Sequence, residues 1–551
     1  MPITMPADLR AARRLVDLGA ALHWIHRPES YEQVGAARKR LKWDEAFAVQ
    51  LSLVRRKLRA DTAAARPRPP RDGGLLSTFD ASLPYELTAG QVAVGERLAE
   101  DLARPHPLHR LLQGEVGSGK TVVALRAMLQ VVDAGGQAAL LAPTEVLAAQ
   151  HHRGLRDLLG PIGRAGELDS AEHATAVALI TGSQGAVARR RAIEAVASGE
   201  AGIVIGTHAL LYEGVNFQDL GLVVVDEQHR FGVQQRDALR AKAGTEPPHV
   251  LVMTATPIPR TVAMTVFGDL ETSELTELPR GRSPIATHVV PADDQRWMVR
   301  MWERLREEVT KGHQAYVVCP RIGGDGTEDQ ADPPSELDAS GDGGGGARRP
   351  LALLEVASML QEGELKDLRA GILHGRLPAE EKDRVMRDFA AGRLDVLLST
   401  TVIEVGVDVP NATVMVVLDA DRFGMSQLHQ LRGRVGRGSA PGLCLLVTDA
   451  PAQAPARERL DAVASTLDGF ELARMDLSLR REGDVLGEAQ SGRSRQLRML
   501  SLLEDEELII EARTEAIALL ARDPDLAAHP ALANAVDEIV GDEQAEFLEK
   551  G

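Results

Sequence analysis

A helical period runs through the first part of the chain. In "DEAFAVQLSLVRRKLRA" the residues Phe47, Leu51, Val54 and Leu58 recur at i, i+4, i+7 and i+11, an apolar stripe with Arg55, Arg56 and Lys57 partly off it. Residues 1–75 therefore read as helical. The stretch "ARPRPPRDGG" at 65–74 ends the pattern, because clustered Pro and Gly cannot continue a helix, and it reads as a linker.

From about 85 to 280 the texture changes. Short β-branched runs ("AALLAP", "GIVIGT", "LGLVVVDE", "HVLVMTAT") alternate with longer amphipathic stretches. Continuous apolar strands separated by helices predict a parallel sheet covered on both faces. The texture resumes after about 310 in "QAYVVCP", "RAGILHG", "LDVLLST", "ATVMVVLD" and "GLCLLVTD", so two similar α/β domains stand in tandem. After 450 the pattern is mostly helical. The expected division is 1–75, 76–282, 283–450 and 451–551.

Length and composition sharpen this. A chain of 551 residues exceeds one ordinary core, which agrees with several packed domains. Aromatics make up only 3%, so nucleic-acid contact is expected mostly at the backbone rather than by base stacking. The formal charge of −17 does not favour a polyanion partner. Part of it is local, since residues 323–349 carry seven acids against two arginines and almost nothing to bury, the pattern of a disordered surface loop inside the second domain. Any nucleic-acid contact would need basic residues gathered along one groove.

Cys319 and Cys444 each sit in an apolar run, which predicts buried, reduced thiols rather than a disulfide or a zinc site. No secretory leader pattern and no apolar run approaching eighteen residues is present. The expectation is a soluble, cytoplasmic protein without membrane contact.

The chemistry begins at "GEVGSGKT" (114–121), which follows the apolar "LHRLL" and precedes the helical "VVALRAMLQVV". This strand–loop–helix context suits a phosphate cradle. Gly114, Gly117 and Gly119 let backbone N–H groups close around phosphate oxygens, Lys120 reaches the β and γ phosphates, and the Thr121 hydroxyl binds Mg²⁺. "LVVVDEQH" (222–229) supplies the hydrolytic partner. Asp226 at a strand end can hold the Mg²⁺ of ATP through water, and Glu227 can orient and deprotonate the attacking water.

At "DEQH" the chain comes to resemble the superfamily 2 helicases and translocases, built on tandem RecA-like domains, and that resemblance implies further roles. "LTAGQ" ends in Gln91, which would read the adenine. "APTEVLAAQ", with Pro143 and Thr144, and "IGTHAL", with Thr207, are similar to segments that contact a nucleic-acid strand. His229, together with Thr254 and Thr256 of "TATPIPRT", takes the role of coupling hydrolysis to strand movement. "STTVIEVGVDVPNA", with Thr400 and Thr401, and "QLHQLRGRVGRG", with Gln430, Arg434 and Arg437, resemble the last two boxes. Arginines in the second domain can meet a phosphate held by the first only across a cleft, which makes hydrolysis depend on closure.

The flanks narrow the resemblance. "LPYELTAGQ", "DEQHRFGVQQR", "MTATPIPRT", "TTVIEVGVDVPNATVMVVLDADRFGMSQLHQLRGRVGRG" and the terminal "EFLEK" are similar to the RecG family of branched-DNA translocases. That family implies a 3′–5′ motor that regresses replication forks and migrates Holliday junctions, with branched or duplex DNA and single-stranded-DNA-binding protein as partners, working as a monomer. "DGFELARMDLSLRREGDVLGEAQSG" (468–492) resembles its translocation hairpin, in which Arg459 and Gln490 would act together. The sequence departs from the family's R-G-P-G at Arg480-Arg481-Glu482-Gly483 and has Ala489 before Gln490. The chain opens on what resembles the family's helical linker, so the family's N-terminal wedge domain is expected to be missing, through truncation, start-site choice or natural variation, and junction specificity to be impaired. Two alternatives stand beside this reading: the translocase module of a transcription–repair coupling factor, and a non-hydrolysing DNA-binding scaffold.

Overall fold

The computed structural model describes residues 5–61, 64–211, 214–226, 246–255, 270–277, 284–322, 351–400, 409–438, 440–479, 499–501 and 504–537. The first lobe is a seven-stranded sheet of β1 (His109–Gly114), β2 (Gln137–Leu141), β3 (Ala176–Ile180), β4 (Ala201–Gly206), β5 (Leu220–Asp226), β6 (His249–Thr254) and β7 (Glu271–Leu275). Its order is β3-β4-β2-β5-β6-β1-β7, and every pairing is parallel. The second lobe is a six-stranded parallel sheet, β8 (Ile285–Pro291), β9 (Gln314–Val318), β10 (Ala370–Leu373), β11 (Val396–Ser399), β12 (Ala412–Val417) and β13 (Gly442–Thr448), in the order β10-β11-β9-β12-β13-β8.

Parallel strands joined by helical crossovers are buried on both faces, so their sequences carry apolar residues at successive positions. In β1, Leu112 packs into one core layer and Leu111 into the opposite one. Val224 and Val223 divide the same way in β5. The second sheet likewise separates two layers, with Tyr316 and Val318 on one side and Val317 on the other. Cys319 and Cys444 are buried free thiols within these layers.

The register gathers the carboxyl ends of the first sheet. Leu141 pairs with both Gly206 and Val225, and Gln113 pairs with Thr254. The carboxyl ends of β1, β2, β4, β5 and β6 therefore lie side by side, the usual place for a ligand in an open α/β sheet.

A third unit joins the two ends of the chain. The helix Tyr31–Asp61 lays Trp43, Phe47, Leu51 and Val54 against Ile509, Ala512, Ala516 and Leu520 of the helix Glu506–Arg522, with Leu532 and Val536 beyond it. Leu58, the last residue of the predicted stripe, is exposed. Arg13 pairs with Glu511 and Glu515 at 2.8 and 2.7 Å, Lys42 with Asp505 at 2.7 Å, and Arg55 with Asp537 at 2.8 Å. Glu45 accepts from the backbone N–H groups of Met499 and Leu500.

The Pro-rich stretch ends the helical pattern as expected but lies bound to the first lobe. Buried Arg68 forms an ion pair with Asp219, its N–H donates to Leu102 O, and its carbonyl accepts from the side chain of Gln130. Prolines hold such a segment extended, so an arginine within it reaches Asp219, the residue just ahead of the central strand β5.

Candidate nucleotide site and lobe interface

The phosphate loop leaves β1 at Gly114 and re-enters regular structure at the helix Lys120–Asp133. Two of its glycines are required by the backbone, Gly117 at φ 83° and Gly119 at φ 84°, a region L side chains avoid. A Cβ on Gly119 would stand 2.2 Å from Gln91 Nε2, and one on Gly114 would stand 2.8 Å from Leu275 O. Gly119 is the N-cap and has no side chain to occupy the first-turn N–H groups of the helix. Lys120 Nζ donates to the carbonyls of Gly114 (2.7 Å) and Glu115 (2.9 Å), which holds the ammonium at the loop, and half-buried Thr121 follows in the same turn.

Gln91 braces this loop from behind. Its Oε1 accepts from Thr88 N, its backbone N–H donates to Thr88 Oγ1 in a capping box, and its Nε2 donates to Ser118 O at 2.8 Å. The residue expected to read adenine is thus fixed to the phosphate loop. Beside it lies a cleft whose lining includes Leu83, Tyr85, Leu87 and Val92 together with the charged Asp80, Glu86 and Arg126, the arginine paired with Asp80. Tyr85 is 48% exposed, and burial of part of the ring raises its phenol pKa. Its signal in the sequence was an isolated aromatic six residues before Gln91 in a chain poor in aromatics.

Asp226 ends β5 with its side chain mostly buried, and His151 Nε2 lies 2.7 Å from its Oδ2. His151 belongs to the helix Glu145–Leu159, capped by Thr144 Oγ1 on Leu147 N. Sequence reasoning missed this histidine, because its partner lies 75 positions away along the chain. Half-buried Pro143 begins the same turn. Thr207 is buried, its hydroxyl accepting from Ala209 N, and Thr254 is buried at the end of β6. Glu227, His229, Thr256, Thr401 and Gln490 lie outside the described residues, as do the departures at 480–483 and Ala489.

From the second lobe, the helix Met425–Arg432 carries Gln430, and Arg434 and Arg437 follow it; Gln430 and Arg434 are buried, and Arg437 Nε donates to Gly433 O. This segment abuts the phosphate loop. A Cβ on Gly433 would stand 3.2 Å from Val116 Cβ, and His429 Nε2 lies 3.4 Å from Glu115 Oε2. Thr400 is buried at the end of β11, and Arg459 donates to Asp421 O from the helix Pro455–Ser465.

Family models match the chain in three places: the DEAD/DEAH box helicase family over residues 96–265, the helicase conserved C-terminal domain over 349–439, and ATP-dependent DNA helicase RecG, domain 3, C-terminal, over 466–535. The ATP-dependent DNA helicase RecG of Mycobacterium tuberculosis strain H37Rv is 54% identical over 549 residues, which are 99% of this chain and 72% of that protein. The chain belongs to the RecG family of ATP-dependent DNA helicases. The RecG of Bacillus subtilis is 40% identical over 95% of the chain and 71% of its own length. A solved structure of RecG bound to a three-way DNA junction aligns with a TM-score of 0.69 at 35% identity, covering 92% of this chain and 62% of that one. RecG membership places the tandem parallel sheets as RecA-like lobes. It also gives the helix Gly469–Leu479 and the helix Glu506–Arg522 a family context, since both fall within the third match. Among the described residues no helix is long and apolar enough to cross a membrane.

Proposed function

We propose that this chain hydrolyses ATP to move along duplex DNA at branch points, acting as a 3′–5′ motor that regresses replication forks and migrates Holliday junctions. The reading is carried by the contact between the phosphate loop and the segment after β12: residues 115 and 116 of the first lobe touch residues 429 and 433 of the second. Occupancy of the loop is thereby linked mechanically to the lobe that bears the arginines.

Each residue then has a role. The amides after Gly119, with Lys120, receive the triphosphate; the cleft beside Tyr85 seats the base, with Gln91 bracing the loop. The oxygen donors Thr121 and Asp226 suit a hard cation, and His151 orients the carboxylate. Mg²⁺ held by these two residues would supply charge neutralisation at the β and γ phosphates. Glu227 orients and deprotonates the attacking water. Arg434 and Arg437, with Gln430, stabilise charge developing on the phosphoryl group when the cleft closes. His229, Thr254 and Thr256 couple that step to movement. Pro143, Thr144, Thr207, Thr400 and Thr401 line the path of a strand, and Arg459 and Gln490 transmit the pull. The division at 76–282 and 283–450 assigns one RecA-like lobe to each side of the cleft. Partners on this reading are branched or duplex DNA and single-stranded-DNA-binding protein, with the motor monomeric.

The test is ATP hydrolysis measured with forked DNA, linear duplex and single-stranded DNA under one set of conditions. Forked and linear duplex DNA are both expected to stimulate hydrolysis above single strands, forks by only the small margin that impaired junction specificity leaves. Hydrolysis indifferent to DNA, or stimulated by single strands alone, would sink the proposal.

A further inference from the structure

Glu115 is an acidic side chain in the phosphate loop for which phosphate binding has no use. Its backbone carbonyl serves Lys120, but its carboxylate spans to two other parts of the chain. Oε1 accepts the backbone N–H of Gly469 at 2.5 Å, and Oε2 lies 3.4 Å from His429 Nε2. Arg432 fixes the histidine's tautomer: a guanidinium can only donate, so His429 Nδ1, 2.8 Å from it, accepts, and Nε2 carries the hydrogen that faces Glu115. Arg432 is itself buried and donates to Val463 O at 2.6 Å and Thr466 O at 2.7 Å, just ahead of Gly469.

These contacts close a ring from the phosphate loop through the helix Met425–Arg432 to the turn at 466–469 and back to the loop. The helix Gly469–Leu479 begins at that turn. Asp468 Oδ1 accepts from Phe470 N and Glu471 N, and Glu115 takes the remaining first-turn amide, of Gly469. A carboxylate there also meets the positive end of the helix dipole. Burial pushes the Glu115 carboxyl pKa up, but His429, the Gly469 N–H and Arg432 outweigh it and hold the group below the usual carboxylate range. It is an anion with no phosphate role, committed across the lobe boundary.

We infer that Glu115 is a positioning residue that transmits the state of the phosphate loop to the helix Gly469–Leu479, so that each ATP turnover moves the start of that helix. The inference rests on the motor reading above and deepens it: the loop that binds phosphate drives the C-terminal segment directly, in parallel with closure of the cleft by the arginines.

The test uses the full chain with E115A and E115Q, scoring fork unwinding and ATP hydrolysis on the same forked DNA. Base pairs opened per ATP are expected to fall about tenfold in E115A, the order of one lost charge-assisted hydrogen bond. E115Q keeps an oxygen for Gly469 N–H and loses the charge facing His429, so its ratio falls less. Hydrogen exchange of the peptide covering 466–475 reports the contact itself. A non-hydrolysable ATP analogue should change its exchange several-fold in wild type and leave it unchanged in E115A. Unwinding and hydrolysis falling in proportion would mean a merely structural role and overturn the inference, as would an E115A response to the analogue equal to wild type. If wild type shows no DNA-stimulated turnover, the motor reading fails, and the exchange experiment still decides whether Glu115 links loop to helix.

Discussion

The pairing of His151 with Asp226 leads to a prediction that can be sized from the structure. The two side chains are 13% and 15% exposed and 2.7 Å apart, so the contact is largely shielded from water. A hydrogen bond to a charged acceptor in such a setting contributes about 1.5–3 kcal/mol. His151→Ala removes this one hydrogen bond to Asp226 Oδ2. Partners behind a metal-holding carboxylate typically contribute about 10–100-fold in affinity or activity. H151A should therefore raise the Mg²⁺ concentration for half-maximal ATP hydrolysis by about tenfold, with the thermal midpoint of the protein within a few degrees of wild type. The assay is the steady-state phosphate-release rate at saturating ATP and forked DNA across a Mg²⁺ titration. H151Q carries an N–H at a similar reach and should recover part of the loss. A wild-type Mg²⁺ dependence in H151A would refute the argument that this histidine positions the carboxylate.

Two further expectations concern the scaffold. Phe47 is fully buried between the two ends of the chain, so Phe47→Ala should destabilise the terminal helical unit by about 3–5 kcal/mol, seen as an earlier urea transition; a transition unchanged from wild type would mean that the ends do not share a core. His249 is buried, its Nδ1 accepts from Leu108 N and its Nε2 faces Arg66 O, an arrangement that requires the neutral ring; burial is the main cause that lowers its pKa to about 4. A folded pKa below the unfolded 6.5 means that the unfolded chain binds the proton first, so stability is full above about pH 6.5 and declines toward pH 4. Urea unfolding at pH 7 and pH 5 should show this decline in wild type and a shallower one in His249→Gln, and equal slopes would contradict it.

The strands that the apolar pattern missed explain themselves. The central strands β2, β4, β5 and β6 and the second-lobe strands β9, β11, β12 and β13 are covered on both faces, and their residues read as unbroken apolar runs. The unread strands β3, β7 and β8 lie at sheet edges, where partial exposure permits "AVALI", "ETSEL" and "IATHVVP". In β7, Glu271 and Ser273 even accept from Arg110 across the sheet, a polar contact that hides the strand from any hydrophobicity count.

By itself the sequence determined the two-lobed α/β organisation and the phosphate loop, because both depend on local relations: an apolar run long enough for a buried strand, and glycines placed where the backbone must turn left-handed. It also carried the family likeness, which spans nearly the whole chain. Only the tertiary structure decided how distant segments meet. It turned a predicted N-terminal helix into half of a core completed by the C-terminal helices, and tied the proline-rich stretch to Asp219. It gave Gln91 to Ser118 and His151 to Asp226, and extended Glu115 to Gly469, 354 positions away. Such contacts join residues whose identities are compatible with many surroundings, and periodicity along one segment holds no record of which face of another segment it will bury.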